Sequence, residues 1–280
     1  MEFTLITSRE NQYVKVACSL KNKKGRQQSA CFLLEGLRLA EEALTVAWPI
    51  KYAFASEETL GQSRLDELLN RLLKLNVPVY TLPPGLFKQI ADTEHSQGLL
   101  LVAALPQELP EKLPAGDFFV LADRLADPGN LGTIMRTAWA AGADGLLLTP
   151  GCADPYNPKV VRSSMGAVLR LPLLSIEDEA ALLALLQKRG LGIYAAAAEG
   201  EIRYDKARLE QPLVWLLGAE ATGLSPLWRK AAEHSVYLPM AQGAESLNVA
   251  AAAAVLIYAT AARRGFPRHN PNRKSLPRTI

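Results

Sequence analysis

The sequence predicts an α/β protein of two domains, and three observations carry that expectation. Short apolar runs alternate with amphipathic stretches along most of the chain, the pattern of strands covered by helices. A chain of 280 residues is long for a single domain. Between the two alternating regions, PQELPEKLPAGD (106–117) brings prolines, a glycine and charges, the composition of a linker.

In the first domain, residues 1–105, FLLEG (32–36) reads as a strand and LRLAEEALTV as a helix. YAFAS (52–56) is the next strand. RLDELLNRLLKL carries leucines at 65, 68, 69, 72 and 73, one face of a helix. VPVYTL is a strand, PPGLFKQIAD a short helix and GLLLVAAL (98–105) the last strand. In the second domain, residues 118–262, strands are expected at 118–122, 145–149, 170–174, 192–198, 213–218 and 235–239. Helices are expected at 131–141, 158–166, 177–189, 225–232 and 246–262. Apolar strands separated by helices predict a mostly parallel sheet covered on both faces. Ligands of such sheets sit at the carboxyl ends of the strands. The tail, 263–280, is basic and proline-rich and is expected to be disordered.

Several functional classes are excluded. Cys18, Cys31 and Cys152 are far apart, with no CxxC pair or metal-ligand spacing, so neither disulfides nor a metal site is expected. MEFTLITSRE has no apolar signal core. The longest apolar run, 249–262, is too short and alanine-rich to span a bilayer. No membrane partner and a cytoplasmic setting are expected. Charge is concentrated at the ends: Arg9, Lys15, Lys21, Lys23, Lys24 and Arg26 near the start, Arg263, Arg264, Arg268, Arg273, Lys274 and Arg278 in the tail. Basic ends on a near-neutral body suit a polyanion partner, or else a solubilising rim and a frayed tail.

Three loops could carry chemistry. In LADRLADPGNLGTIMRTAWAAG, Asn130 is placed to cap a helix. Leu131, Ile134, Met135, Ala138 and Ala141 form that helix's apolar face, and Arg136 falls roughly opposite. In LLGAEATGLS (216–225) a strand ends at Gly218, where backbone N–H groups can approach a ligand, and Glu220 follows. In YLPMAQGAESLNVAAAAAVLIYA, Ser246 sits at an N-cap position with Asn248 in the first turn. Each loop also has an ordinary reading as a capped turn with an exposed polar residue. GLGIYA (190–195) matches a dinucleotide fingerprint but follows a helix and opens a strand, the wrong order, so an oxidoreductase is set aside.

Together, NLGTIMR, LGAEATGLS and LPMAQGAESLNVA, in this order, resemble the SpoU family of RNA ribose 2′-O-methyltransferases of the SPOUT superfamily. The stretch SRENQYVKVACSLKNKKGRQQSACFLLEGLRLAEEAL resembles the L30e-like RNA-binding domain that precedes many of their catalytic domains. The resemblance implies a C-terminal trefoil knot, which the strand pattern itself does not show. It implies S-adenosylmethionine as cofactor, held near Gly218, Leu238, Met240 and Leu247, and a homodimer with sites at the interface. It implies that Arg136 handles the ribose hydroxyl, with Asn130, Glu220, Ser246 and Asn248 around it.

A free arginine is a poor general base. Either a crowded cationic site lets Arg136 accept the proton, or charged Arg136 stabilises the developing alkoxide while water takes it. Lys and Arg of the first domain (Arg9, Lys15, Lys21, Lys23, Lys24, Arg26) would grip RNA, with rRNA favoured over tRNA. The alternative is a non-catalytic RNA-binding or ribosome-assembly factor on the same fold, which predicts decay of those polar residues. His95, His234 and His269 form no site. Trp48, Trp139, Trp215 and Trp228 read as core, although an exposed one could stack on a base.

Overall fold

The computed structural model describes residues 3–106, 113–242 and 246–266. Most of the expected linker and most of the basic tail therefore lie outside the described residues, as do the loop residues 243–245. The chain forms two compact units: residues 1–107 with 154–169, and residues 108–153 with 170–280.

The first unit opens with β1 (Thr4–Leu5), α1 (Gln12–Ser19) and α2 (Lys23–Ser29). It continues through β2 (Cys31–Glu35), α3 (Leu37–Thr45), β3 (Ile50–Ser56) and α4 (Ser63–Lys74). β4 (Val79–Leu82), α5 (Pro84–Ile90) and β5 (Leu99–Ala104) follow. The sheet order is β1-β4-β3-β5-β2. β5 runs antiparallel to β2 and β3; the other pairs are parallel. The leucine face read from the sequence is real: Leu65, Leu68, Leu69 and Leu72 of α4 are buried, whereas Leu73 stays exposed.

The second unit holds β6 (Phe118–Asp123), α6 (Pro128–Ala140) and β7 (Gly145–Leu148). After α7 (Pro158–Ser163), which belongs to the first unit, come β8 (Leu173–Ser175), α8 (Glu179–Lys188) and β9 (Gly192–Ala196). β10 (Ile202–Arg203), β11 (Leu213–Gly218), α9 (Pro226–Ala231), β12 (His234–Tyr237) and α10 (Val249–Arg263) complete it. The sheet order is β10-β12-β9-β11-β6-β7-β8, and every pair is parallel. The central strands are unbroken apolar runs because helices cover both faces: all of β6 and Leu213–Leu217 of β11 are buried. Trp215 of β11 is fully buried, and its indole N–H donates to Thr260 Oγ1 at 2.9 Å, which fixes α10 on the sheet. Among the described residues no helix is long and apolar enough to cross a membrane.

One segment departs from the division read in the sequence, which places 118–262 in a single domain. Asp154–Leu169 packs within the first unit. Tyr156 lies against Phe32, ring centroids 4.9 Å apart, and Val160 and Val161 of α7 are buried. Asp154 Oδ2 accepts from Arg26 Nε at 2.9 Å and Nη2 at 2.5 Å.

Arg26 is 2% exposed, and its Nη1 also donates to the carbonyls of Leu20 and Lys21. The helical period of α2 turns Gly25 and Arg26 inward and Lys23, Lys24 and Gln27 outward. Removing one partner of such a pair strands a desolvated charge. Arg26→Ala is expected to cost about 3 kcal/mol in denaturant unfolding. Adding Asp154→Ala should recover part of that loss; purely additive effects would deny the coupling.

Candidate active site

The parallel strands of the second unit end their carboxyl termini along one edge, where the three loops singled out in the sequence lie. Asp123, the last residue of β6, is wholly buried. Its Oδ2 accepts the Ser225 backbone N–H at 2.6 Å, and its Oδ1 accepts from Thr149 Oγ1 at 3.1 Å. Arg124 Nε lies 3.8 Å from Oδ1. One carboxylate thus joins the end of β6 to the residue after β7 and to the loop after β11. Sequence reading missed it, because an aspartate closing an apolar strand looks like the start of a solvated loop.

The loop after β11 is a tight turn. A Cβ on Gly218 would lie 2.4 Å from the Gly223 carbonyl carbon and 2.5 Å from Leu224 N, so only glycine lets the loop fold back here. Gly223 N–H donates to Ala219 O at 2.8 Å, and Arg229 Nη2 braces the turn at Leu224 O, 3.0 Å away. Glu220 is carried outward at its crest.

Glu220 Oε1 accepts from Asn130 Nδ2 at 2.9 Å and from Asn248 Nδ2 at 2.7 Å, and Asn248 Nδ2 also donates to Asn130 Oδ1 at 3.0 Å. Residues from three separate loops therefore close one network. Asn248 is oriented by its other end: its Oδ1 accepts from Ala250 N and Ala251 N at 2.9 and 3.3 Å, capping α10. The expected N-cap, Ser246, lies two residues earlier, exposed and outside the helix. The expected cap at Asn130 moves too. Asp127 caps α6, accepting Asn130 N–H at 2.7 Å, with Pro128 filling a first-turn position that needs no donor. That shift frees the Asn130 side chain for Glu220.

Arg136 is exposed on α6 and has no hydrogen-bond or ion-pair partner among the described residues, so it stands outside the network. The apolar face behind it is as expected: Leu131, Ile134, Met135 and Ala138 are buried. Leu238 is half-buried, and Met240 and Leu247 are exposed apolar side chains at the same sheet edge. Cys152 is a free thiol whose Sγ–H donates to Ala122 O, and burial pushes its pKa up. Among the described residues no group of His, Cys, Asp and Glu could hold a metal ion.

The basic residues of the first unit separate into two sets. Arg9, Lys23 and Lys24 are exposed. Lys15 pairs with Glu10 at 2.6 Å, and Lys21 Nζ donates to the carbonyls of Gln89 and Ala91. Arg26, buried in its ion pair with Asp154, is not on an RNA-facing surface, which corrects the expectation from charge alone. Trp215 and Trp228 are core as expected, but Trp139 is 41% exposed, with Arg170 over its ring at 5.4 Å.

Two family models match the chain: SpoU rRNA Methylase family over residues 117–258 and MRM3-like substrate binding domain over residues 11–101. A Bacillus subtilis relative named 23S rRNA (guanosine(2553)-2′-O)-methyltransferase RlmP is 33% identical, covering 90% of this chain and 97% of its own. A Streptomyces viridochromogenes 23S rRNA (uridine(2479)-2′-O)-methyltransferase is 30% identical, covering 92% of each chain. The solved structure of the SpoU methyltransferase AviRb from that organism, in complex with AdoMet, superposes with a TM-score of 0.81 at 28% identity, covering 91% of this chain and 98% of that one.

Asp123→Ala would leave the buried Ser225 N–H without its acceptor and is expected to cost about 1–3 kcal/mol. Hydrogen exchange at the Ser225 amide should accelerate selectively. Unchanged protection there would mean that the carboxylate is not what holds the loop.

Proposed function

The chain belongs to the SpoU rRNA methylase family and is an S-adenosylmethionine-dependent RNA 2′-O-methyltransferase, and from that premise we propose that it methylates one ribose 2′-hydroxyl of 23S rRNA. The observation that carries the reading is the Asn130–Glu220–Asn248 network, assembled from three loops at the carboxyl edge of the parallel sheet. A non-catalytic factor on the same fold would have no use for it.

The residues present fit the cofactor. Ser225 Oγ is buried in the loop after Gly218 without a hydrogen-bond partner, and Met240 and Leu247 expose apolar surface that an adenine ring would cover. Gly218, Leu238, Met240 and Leu247 are the residues assigned to hold it. When bound, S-adenosylmethionine supplies an electrophilic methyl group on a sulfonium.

Transfer of that methyl to the ribose oxygen would be an in-line displacement, and the residues around the site would contribute much of its acceleration through alignment. Asn130, Glu220 and Asn248, joined by their network, are assigned to orient the nucleotide, and Ser246, exposed two residues before Asn248, is assigned to contact it. Arg136 is assigned to the developing alkoxide. Its guanidinium is exposed and has no carboxylate partner among the described residues, so its donors are available to an oxyanion, and the hydroxyl proton passes to water.

The active form is proposed to be a homodimer. On α10, Ala251, Val255 and Tyr258 are exposed at the spacing of one helical stripe, opposite the face held by Trp215. Water would not favour such a stripe; a second copy would cover it. The trefoil knot belongs to the same proposal. It is supported by β12 pairing with β9 and β10 instead of with β11, its predecessor. A cytoplasmic setting is supported by the free Cys18, Cys31 and Cys152.

Transfer of labelled methyl to unmodified rRNA and tRNA, followed by mapping of ribose-methylated positions, tests the activity; incorporation confined to tRNA would overturn the rRNA assignment. Arg136→Ala is expected to lower turnover by about 10²-fold or more while leaving cofactor affinity nearly unchanged. Equal turnover would remove Arg136 from the chemistry. Lys23→Ala with Lys24→Ala should weaken RNA binding and reduce its salt slope by roughly one unit for each phosphate no longer neutralised. An unaltered slope would place the RNA surface elsewhere.

A further inference from the structure

The first unit contains an open cleft of about 240 Å³ that none of the steps above uses. Ser56, the last residue of β3, lines it. Ser56 is 2% exposed, yet its Oγ has no hydrogen-bond partner, an uncommon state for a buried hydroxyl. Phe87 of α5 supplies an apolar wall. Around the mouth stand Glu58, Lys88, Glu94 and His95, all exposed, and none has a hydrogen-bond or ion-pair partner among the described residues.

The floor is held rigidly. Ser56 N–H donates to Gly98 O at 2.9 Å, and Thr59 Oγ1 donates to Ser56 O at 2.9 Å. Gly98 has φ +75°, and a Cβ there would come within 2.0 Å of Thr59 Oγ1, so the wall admits only glycine. One partly buried lysine of the unit is anchored close by. Lys21, which leads into Lys23 and Lys24, bonds the carbonyls of Gln89 and Ala91, the residues that follow Phe87 and Lys88.

Glu58 and Glu94 would repel a phosphate, so a nucleotide entering the cleft must turn its base toward them. Ionised carboxylates only accept hydrogen bonds. Guanine offers adjacent donors, N1–H and the N2 amino group, with the acceptor O6 beside them. The Watson–Crick edge of adenine has one amino donor next to an acceptor, and those of uracil and cytosine would set carbonyl oxygens against the carboxylates. Lys88 Nζ, exposed at the mouth, can donate to O6. We infer that this cleft receives the guanine base of an unpaired nucleotide in the RNA substrate, read on its Watson–Crick edge by Glu58 and Glu94. The inference rests on the RNA-methylating activity assigned above.

The test uses the full chain and fluorescent uridine decamers carrying one central guanosine, inosine or adenosine. The guanosine strand is expected to bind about tenfold more tightly than the adenosine strand, with inosine, which lacks the N2 amino group, between them. Glu58→Ala combined with Glu94→Ala should abolish the preference, while the loss of two negative charges changes affinity for guanosine, adenosine and all-uridine strands by the same factor. Equal affinities, a preference that survives the double variant, or no measurable binding of any strand would overturn the proposal. Guanosine monophosphate competing as well as the guanosine strand would overturn RNA as the source of the base. Methyl transfer to rRNA is measured on the same preparation. Turnover without guanine preference rejects the cleft alone, whereas absence of turnover rejects the activity on which it rests.

Discussion

The Asp123 carboxylate is the constraint on which the rest of the candidate active site depends. It is shut off from water, so its lone pairs must find protein donors. It finds them in Ser225 N–H and Thr149 Oγ1, one on each neighbouring side of β6 in the strand order β11-β6-β7. The loop that leaves β11 is thereby tied at its far end, while Gly218 lets it fold back at its near end. Between those fixed points only a few residues remain, and Glu220 is among them. The carboxylate that touches nothing outside the protein thus determines where the exposed carboxylate stands.

From Glu220 the order spreads by hydrogen bonds instead of by packing. Two asparagine amides converge on one oxygen, and a third bond joins the amides to each other. Such a network is stiff only if each amide is also held elsewhere. Asn248 is held by the first turn of α10, and Asn130 by its place in the first turn of α6, whose cap is Asp127. Both helices rest on the apolar sheet, so the polar site inherits its rigidity from the core beneath it.

The sequence made most of this legible, and the failures have physical causes. Period and apolar content locate the central strands and the long helices because burial dictates them. β1 and β10, of two residues each, escape because so short a segment has no period. The site residues of the three loops are legible as a set, and Asn130, Glu220 and Asn248 do meet. Their individual bonds are not legible: Asp127 and Asn130, or Ser246 and Asn248, are equally good caps by composition, and only the fold decides between them. Charge misleads most. Arg26 sits in the same basic run as Lys23 and Lys24, and a helical turn sends it inward to Asp154, a partner remote in sequence that no local pattern announces.

Asn248 serves two masters at once. Its oxygen closes a helix and its nitrogen closes the network with Glu220 and Asn130. For the helix alone, serine, threonine or aspartate would do about as well, since each offers an acceptor to the first-turn amides. None of them carries the nitrogen. A drift among good caps would leave a well-folded molecule in which Glu220 keeps only its bond from Asn130. Position 248 is therefore one where foldedness gives no warning that the network is broken, so stability alone would not keep asparagine there.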